Sequence, residues 1–300
     1  MEKVTYDIII IGSGPAGMTA GVYARRLNLS VLVIESGAPG GMMVNTEEIA
    51  NYPGFAKING VDLSLAMFDQ MMALGTEFKA EKVESIKKID ELFYINTVSD
   101  EYVGRSVIIA TGTKNRVLGI DGESDYFYRG ISWCAICDGP LYKGRDVAVV
   151  GGGNSALSSA LTLAKFTNKV YLIHRRDEFR GDPILVEKIK NTKNIEIIYN
   201  SNVIKFIGKP LEKLLLKDLS GCEKEINVSC CFEAIGRLPN SDVVDCEKNK
   251  EGFIIVNSDM ATSIEGMFAC GDVIEKGLRQ IATAINDGAI AAMSASRYLK

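Results

Sequence analysis

Two cysteines in this sequence are spaced for redox chemistry. Cys134 and Cys137 are separated by two residues, and Asp138 follows directly. Two residues between cysteines at the start of a helix let the sulfurs meet, and the helix N-terminus favours the reactive thiolate. The chain has one histidine, His174, so a carboxylate is the best candidate for the proton transfers of thiol chemistry. The pattern predicts a dithiol that cycles with a disulfide, with Asp138 as its acid and base.

The other cysteines do not complete a metal site. A zinc site needs a second pair of cysteine or histidine ligands near the first. No other pair has a motif spacing, and His174 belongs to an arginine cluster. We therefore predict no metal and interpret five cysteines as structural: Cys222, Cys230, Cys231, Cys246 and Cys270. Cys230 and Cys231 adjoin in a predicted strand, so their side chains should point to opposite faces.

A glycine-rich turn near the start of the chain is typical of dinucleotide binding. Gly12, Gly14 and Gly17 form a G-x-G-x-x-G sequence after an apolar strand and before a helix. Such glycines allow a tight turn, a close approach to a pyrophosphate and close helix packing. The helix N-terminus presents N–H groups to phosphates, and Glu35 ends the next strand, where a carboxylate accepts hydrogen bonds from ribose.

A second glycine turn carries a different nucleotide signature. Gly151, Gly153 and Ala156 form G-x-G-x-x-A, and His174 stands as far from Gly151 as Glu35 does from Gly12. The acidic residue is therefore replaced there by a basic cluster, which consists of His174, Arg175, Arg176 and Arg180. Guanidinium groups match a phosphate in charge and in fork geometry. The pattern predicts recognition of a ribose 2′-phosphate, and so NADPH rather than NADH.

Both turns lie within predicted β-α-β units. The first unit has strands at 8–11 and 31–34 around a helix to about Leu27. The second has strands at 147–150 and 170–173 around a helix to about Phe166. Short β patterns follow each unit, and the C-terminal segment is predicted as a strand, a turn and a long helix. We predict an α/β protein with two Rossmann-type domains, the second, over 113–242, inserted into a first that comprises 1–112 and 243–300.

Composition limits the class of protein. The 300 residues are enough for two domains, and the net charge of −4 with a pI near 5.3 gives no basic excess for nucleic acid or an anionic membrane. No apolar stretch reaches a membrane-spanning length, and the apolar run 8–11 is too short for a signal peptide. We predict a cytoplasmic protein that binds neither nucleic acid nor membrane.

Taken together, the motifs resemble those of the low-molecular-weight thioredoxin reductases. They occur in one order over nearly the whole chain: GSGPAG, NYPGF, ATG, CAICDG, GGGNSA, HRRDEFR, AIGRLPN, FACGD and RQ. The resemblance implies a homodimer of three-layer ββα domains, with FAD in the domain formed by both chain ends and NADPH in the inserted domain that carries the disulfide. It implies electron flow from NADPH to FAD, to the Cys134–Cys137 disulfide, and then to thioredoxin or a thioredoxin-like dithiol protein.

The resemblance also implies which residues contact each cofactor. For FAD these are Gly12, Gly14, Pro15, Ala16, Gly17, Glu35, Ser36, Gly40, Gly41, Asn51, Val83, Ala110, Thr111, Gly112, Gly271, Asp272, Arg279, Gln280 and Ile281. For NADPH these are Gly151, Gly153, Asn154, Ser155, His174, Arg175, Arg176 and Arg180. The chain departs from the family where Ser158 and Ser159 replace acidic residues in the first turn after GGGNSA, and where Pro140 follows CDG.

Other functions remain alternatives at this stage. They include a flavin disulfide reductase that is ferredoxin-linked or specific for another thioredoxin-like protein, a small-molecule dithiol oxidase, and the reductase partner of a peroxiredoxin. The basic cluster disfavours the ferredoxin-linked enzymes, which lack the nucleotide motif. A non-catalytic nucleotide sensor would not need Cys134 and Cys137.

Overall fold

The computed structural model describes residues 4–46 and 48–300, which fall into two compact units. The first unit is formed by the chain up to Lys114 together with Leu238–Lys300, and the second by Asn115–Arg237. The chain passes between the units at two short strands, β7 (Thr113–Asn115) and β16 (Arg237–Pro239).

The first unit is built on a sheet to which the described residues contribute seven strands. They are β1 (Thr5–Ile11), β2 (Val31–Glu35), β3 (Glu77–Ala80), β4 (Val83–Ile89), β5 (Leu92–Thr97), β6 (Glu101–Ile109) and β17 (Met267–Ala269). The order is β3-β2-β1-β6-β5-β4, and β17 pairs with the second half of β6. The pairing is parallel between β1 and its neighbours β2 and β6, between β2 and β3, and between β6 and β17. Strands β4 and β5 form an antiparallel meander on β6.

The central strand β1 is buried on both faces, as is typical of an apolar strand without polar alternation. Ile8 and Ile10 of β1 pack with three helices, α1 (Pro15–Arg26), α2 (Gly60–Ala73) and α6 (Ile281–Tyr298). Ile9 and Ile11 point to the other face, where they meet the β4–β5 meander and the segment before β17. Each fully buried isoleucine stabilises the fold by about 1.5–3 kcal/mol, so β1 is held from both sides.

The second unit repeats this design with a five-stranded parallel sheet. Its strands are β8 (Ile131–Ser132), β9 (Asp146–Val150), β10 (Lys169–Ile173), β11 (Ile195–Ile198) and β15 (Cys231–Glu233), in the order β11-β10-β9-β15-β8. Helices α3 (Ala135–Asp138), α4 (Asn154–Leu163) and α5 (Pro183–Lys190) contribute to the core on one face. An antiparallel sheet of β12 (Ser201–Ile207), β13 (Lys213–Asp218) and β14 (Glu223–Asn227) covers the other.

The predicted α/β fold class and the two β-α-β units are confirmed. Cys230 and Cys231 belong to the cores on opposite faces of the parallel sheet, as expected from their adjacency. The helix after the second glycine turn is predicted to reach about Phe166; α4 ends at Leu163, and turn hydrogen bonds to the carbonyl of Leu163 continue from Phe166 and Thr167. The side-chain amide of Asn194 donates to the carbonyl oxygens of Ala164 and Thr167, which follow the helix.

The sequence predicts an inserted domain over 113–242, whereas the second compact unit covers Asn115–Arg237. In the described part of the chain, no helix is both long enough and apolar enough to span a membrane.

Candidate active site

The two motif cysteines form a disulfide. The Cα atoms of Cys134 and Cys137 are 5.3 Å apart, and the bond bridges the first turn of α3. Cys134 is the N-cap of that helix, and its Sγ accepts a hydrogen bond of 3.2 Å from the N–H of Cys137. An N–H group directed at this sulfur would stabilise a Cys134 thiolate after reduction.

A serine that sequence reasoning missed connects Cys134 to Asp138. The hydroxyl of Ser132 donates to Oδ2 of Asp138 at 2.5 Å and accepts from the N–H of Cys134 at 3.1 Å. Ser132 is buried at the end of β8, whereas Asp138 is half-buried in α3. Burial raises the pKa of Asp138, and the hydrogen bond from Ser132 partly opposes that rise. A carboxyl with a raised pKa beside a disulfide can supply and take up protons as the sulfurs are reduced and oxidised.

The other thiols are separated from this chemistry mainly by burial. Cys230, Cys231, Cys246 and Cys270 are buried, and burial raises the pKa of each thiol. A buried neutral thiol is a poor nucleophile, so these four act as core residues. Cys222 is exposed, close to the start of β14, and its position does not fit the structural role expected for it.

The first glycine turn brings separate parts of the first unit together. Gly14 is the N-cap of α1, where no side chain caps the helix, and Pro15 is the first helical residue. A Cβ on Gly17 would lie 1.9 Å from the carbonyl oxygen of Gly12, so only glycine permits this close packing. Gly41 lies next to Gly14, and Gly271 lies next to Ala16.

Glu35 is fixed at the end of β2 by backbone donors. Its Oε2 accepts from the N–H of Ser13 at 2.8 Å and from the Ser13 hydroxyl at 3.1 Å, and its Oε1 accepts from the N–H of Gly37 at 3.0 Å. These contacts tie the carboxylate to the glycine turn. Ser36 follows Glu35, and Gly40 precedes a 3-10 turn (Gly41–Asn45). The arrangement fits the ribose and pyrophosphate of a dinucleotide: an anchored carboxylate beside an uncapped helix N-terminus.

The C-terminal predicted residues lie around the start of α6. Gln280 is its N-cap, Ile281 its first residue, and the side-chain amide of Asn51 donates to Gln280 at 3.1 Å. The Arg279 guanidinium donates to the carbonyl oxygens of Asp272, Ile274 and Lys276. It also lies over the Phe253 ring, with Cζ 4.1 Å from the ring centroid. Arg279 therefore holds the loop between the 3-10 turn (Gly271–Val273) and α6 in place.

Four more predicted FAD positions lie in the first unit, and of these Ala110 adjoins the glycine turn at Gly12 and Gly17. Val83 begins β4 and packs in the core on the side of the sheet away from α1. The segment Ala110, Thr111 and Gly112 follows β6; the Thr111 hydroxyl donates to the carbonyl of Asn240, whose side-chain amide donates back to Thr111.

The second glycine turn joins β9 to α4, with Gly153 as an N-cap that no side chain caps. Asn154 and Ser155 form the first turn of α4, and the Asn154 side chain accepts from the N–H of Asp182 at 2.7 Å. Arg175, Arg176 and Arg180 are exposed, and none of the three guanidinium groups has a hydrogen bond or ion pair with a described residue. These three unpaired cations, which follow β10, fit a phosphate group.

His174 differs from its arginine neighbours. Its ring is buried, and Nε2 lies 3.0 Å from the carbonyl oxygen of Glu178. A Cβ on Gly152 would lie 2.1 Å from the ring, so the histidine packs against the glycine turn from below. Burial lowers the pKa of His174, and the hydrogen bond to Glu178 opposes this, while the three arginines lower it further. The neutral ring therefore shapes the turn, and the exposed cations are the arginines.

Comparison with known proteins identifies the family of this chain over nearly its whole length. Residues 6–288 match the model of the pyridine nucleotide-disulphide oxidoreductase family. The chain is 42% identical to thioredoxin reductase of Bacillus subtilis over 304 residues, covering all of this chain and 96% of that protein. It is 41% identical to thioredoxin reductase of Ureaplasma parvum, covering all of this chain and 98% of that protein. The crystal structure of thioredoxin reductase from Streptococcus pyogenes is similar with a TM-score of 0.93 and 40% identity, covering 99% of each chain.

Proposed function

We propose that this chain, which belongs to the pyridine nucleotide-disulphide oxidoreductase family and within it to the low-molecular-weight thioredoxin reductases, transfers electrons from NADPH through FAD to oxidised thioredoxin. The observation that carries the proposal is the Cys134–Cys137 disulfide, in the same unit as a glycine turn with three unpaired arginines. A disulfide beside a hydrogen-bonded carboxyl provides the exchange chemistry, and the glycine turn provides a nucleotide site.

We propose that FAD binds to the first unit. Bound FAD would supply two-electron redox chemistry between a nicotinamide and a disulfide. The N-terminus of α1 would face its pyrophosphate, and Glu35 would accept hydrogen bonds from its ribose. Asn51 and Gln280, already joined by a hydrogen bond, would order the start of α6 beside the ring system.

We propose NADPH rather than NADH as the nucleotide of the second unit. A 2′-phosphate needs cations, and the exposed guanidinium groups of Arg175, Arg176 and Arg180 have no other partner among the described residues. His174 would support the turn from beneath through its contact with Gly152.

The thiol step follows from the geometry of α3. In the reduced enzyme, one thiolate of the Cys134–Cys137 pair attacks a sulfur of the thioredoxin disulfide, and the other thioredoxin sulfur leaves as a thiolate that takes a proton. The second enzyme thiol then loses its proton and its sulfur breaks the mixed disulfide, which re-forms the Cys134–Cys137 bond and releases the second thioredoxin thiolate, which takes up that proton. Two electrons and two protons pass to thioredoxin. Asp138, hydrogen-bonded to Ser132, is the proposed proton donor.

Two further properties belong to the proposal. We propose a homodimer, as the resemblance implies, and a cytoplasmic location, where a single reactive disulfide among otherwise free cysteines is expected to be catalytic.

One assay tests the proposed function directly. NADPH oxidation by the FAD-loaded protein is followed with and without added oxidised thioredoxin. We expect NADPH consumption to require thioredoxin and to produce an equal amount of its dithiol. Consumption that is independent of thioredoxin and produces hydrogen peroxide would instead identify an oxidase.

A further inference from the structure

Two buried glutamates meet beside the residue that precedes Cys134. Glu233 ends β15 with 2% of its surface exposed, and Glu123 lies in a 3-10 turn (Glu123–Tyr126) with 4% exposed. Glu123 is close enough to Glu233 for its hydrogen bond and its charge to raise the pKa of Glu233. Two carboxylates cannot share a buried site without a large repulsion, so one of them must carry a proton.

The neighbours of each carboxyl decide which one is the donor. Glu123 is occupied as an acceptor: its Oε1 receives the N–H of Leu118 at 2.8 Å, and its Oε2 receives the N–H groups of Gly119 at 2.7 Å and Ile120 at 3.0 Å. Oε1 of Glu233, by contrast, is fully buried and has no hydrogen-bond donor among the described residues. A proton on Glu233 satisfies this atom, because Oε1–H then donates to Glu123.

The second oxygen of Glu233 holds the indole of Trp133. The indole Nε1–H donates to Oε2 of Glu233 at 3.2 Å and lies 3.3 Å from the carbonyl oxygen of Arg116. The rings of Phe127 and Tyr128 pack edge-on against Trp133, with centroids 5.0 and 5.4 Å away. Trp133 is therefore held by both polar and aromatic contacts, and it directly precedes Cys134 in the chain.

Strand register explains why this contact reaches the disulfide. Phe232 of β15 pairs with Ser132 of β8, which brings Glu233 alongside Trp133. Ser132 in turn accepts the N–H of Cys134. The backbone that enters α3 is therefore fixed on one side by Ser132 and on the other by the Glu233–Trp133 hydrogen bond.

We propose that Glu233, as the proton-carrying member of a pair with Glu123, is a positioning residue that fixes Trp133 and, through it, Cys134. The reacting role of Cys134 rests on the proposed function. Glu233 does this in its neutral form, because only that form donates to Glu123 while it accepts from Trp133. Loss of the proton at alkaline pH replaces the donated hydrogen bond with a repulsion between two carboxylates.

The other titratable groups around Glu233 do not replace Glu123 in this role. Strand β9 presents Val150 beside it, and Cys231 and Cys230 of its own segment are thiols whose pKa burial raises. The Tyr126 hydroxyl, from the same turn as Glu123, donates to the carbonyl of Phe206. Burial, followed by the hydrogen bond and charge of Glu123, raises the pKa of Glu233 to about 9, while Trp133 opposes that rise.

The test uses the chain's single tryptophan as a reporter. Selective ¹⁵N labelling of the oxidised, FAD-loaded protein reports two resonances, the indole N–H of Trp133 and the backbone amide of Cys134. Both are followed between roughly pH 6.5 and 10.5, a window that brackets the titration of Glu233. Glu233→Gln keeps a donor for Glu123 and an acceptor for Trp133 but cannot lose a proton. Glu233→Leu removes both contacts, and Glu187→Gln, at an exposed position of α5, is the matched control.

We expect both resonances to titrate with a midpoint near pH 9 in the wild type and in Glu187→Gln. Neither should titrate in Glu233→Gln, and both should already be displaced at pH 7 in Glu233→Leu. A wild-type indole that does not titrate, or a Glu233→Gln indole that titrates as the wild type does, would overturn the proposal. So would unchanged resonances in Glu233→Leu. None of these readouts involves thioredoxin, so they stand even if the proposed function fails.

A kinetic measurement tests whether the Glu123–Glu233 pair affects the reaction. Glu233→Leu should lower the turnover of thioredoxin reduction on the order of 10-fold or more, since misplacement of a reacting group by about 1 Å can cost 10²-fold. Glu233→Gln should restore wild-type turnover at pH 7 and exceed it above pH 9. Equal turnover in all three proteins at every pH would show that Glu233 does not position Cys134.

Discussion

The hydroxyl of Ser132 donates a hydrogen bond of 2.5 Å to Oδ2 of Asp138, and the same hydroxyl accepts the backbone N–H of Cys134. One side chain thus connects the proposed proton donor to the proposed redox disulfide. The connection crosses from the end of β8 to the last residue of α3. It partly opposes the rise that burial causes in the pKa of Asp138, because a hydrogen bond donated to a carboxylate favours its charged form.

Ser132→Ala should move the pH dependence of thioredoxin reduction. The Ser132 hydrogen bond lowers the pKa of Asp138 against the effect of burial, so its removal should raise that pKa. As the proposed proton donor, Asp138 would act in its protonated form, which is lost as the pH rises through its pKa. The alkaline limb of the turnover profile should therefore shift to higher pH. Ser220→Ala, an exposed serine of the same unit, is the control, and an alkaline limb that stays in place would mean that Ser132 does not tune Asp138.

Asp138→Asn should slow thioredoxin reduction without affecting flavin reduction by NADPH. Removal of a general acid costs on the order of 10²–10⁴-fold, and water can replace part of its function. Steady-state thioredoxin reduction is compared with stopped-flow bleaching of the flavin in the same preparation. A parallel loss of both rates would point to a structural defect rather than a missing proton donor.

Arg175→Ala combined with Arg176→Ala should weaken NADPH far more than NADH. A hydrogen bond to a charged group contributes roughly 1.5–3 kcal/mol, which corresponds to about 10- to 150-fold in affinity per contact. The flavin-reduction rate is measured against the concentration of each nucleotide. Arg145→Ala, an exposed arginine just before β9 and thus at the opposite end of that strand from Gly151, is the matched control. Equal losses for the two nucleotides would show that these arginines do not bind a 2′-phosphate.

Glu35→Ala should weaken FAD binding. The carboxylate is oriented by the N–H groups of Ser13 and Gly37, and its loss removes the proposed ribose contacts, each worth roughly 1.5–3 kcal/mol. Flavin content after extensive dialysis and the affinity of the apoprotein for FAD are compared with those of Asp69→Ala, which changes an exposed carboxylate of α2. Unchanged retention of FAD would remove Glu35 from the site.

Glu233→Gln should stabilise the protein increasingly as the pH rises. The folded chain raises the pKa of Glu233 from its usual value of 4.5 to about 9. A carboxyl of this kind contributes stability that is complete below about pH 4.5 and is lost as the pH rises to about 9, by on the order of 1 kcal/mol per pH unit. Glutamine does not titrate, so the melting temperature of the variant should exceed that of the wild type at pH 8 but not at pH 5. An advantage of equal size at both pH values would contradict a shared proton.

Local sequence patterns were enough to predict those site residues that lie close together along the chain. The two glycine turns, Glu35, the arginines and the Cys134–Cys137 pair each lie within one β-α-β unit or one helical turn, where spacing alone determines geometry. The order of the motifs was enough to predict two Rossmann-type units in an α/β fold.

The remaining residues of the site depend on contacts between distant segments. Glu233 reaches Trp133 only because β15 pairs with β8, and no local pattern encodes that register. Ser132 becomes a link between Cys134 and Asp138 only when the start of α3 is fixed in space. Likewise, the carbonyl oxygens of Ala164 and Thr167, just after α4, find a donor only because Asn194 reaches them from a distant loop.

We expect electrons to leave the protein through the Cys134–Cys137 pair, and single serine variants test this route. Steady-state reduction of thioredoxin and stopped-flow bleaching of the flavin by NADPH are measured for Cys134→Ser, Cys137→Ser and the wild type. The control is Cys222→Ser, at an exposed thiol outside the disulfide. One sulfur must attack and the other must resolve the mixed disulfide, so each motif variant should lose thioredoxin reduction while the flavin is still bleached at the wild-type rate. Thioredoxin reduction at a near wild-type rate in either motif variant would rule out this route, because the Cys134–Cys137 disulfide would then be structural.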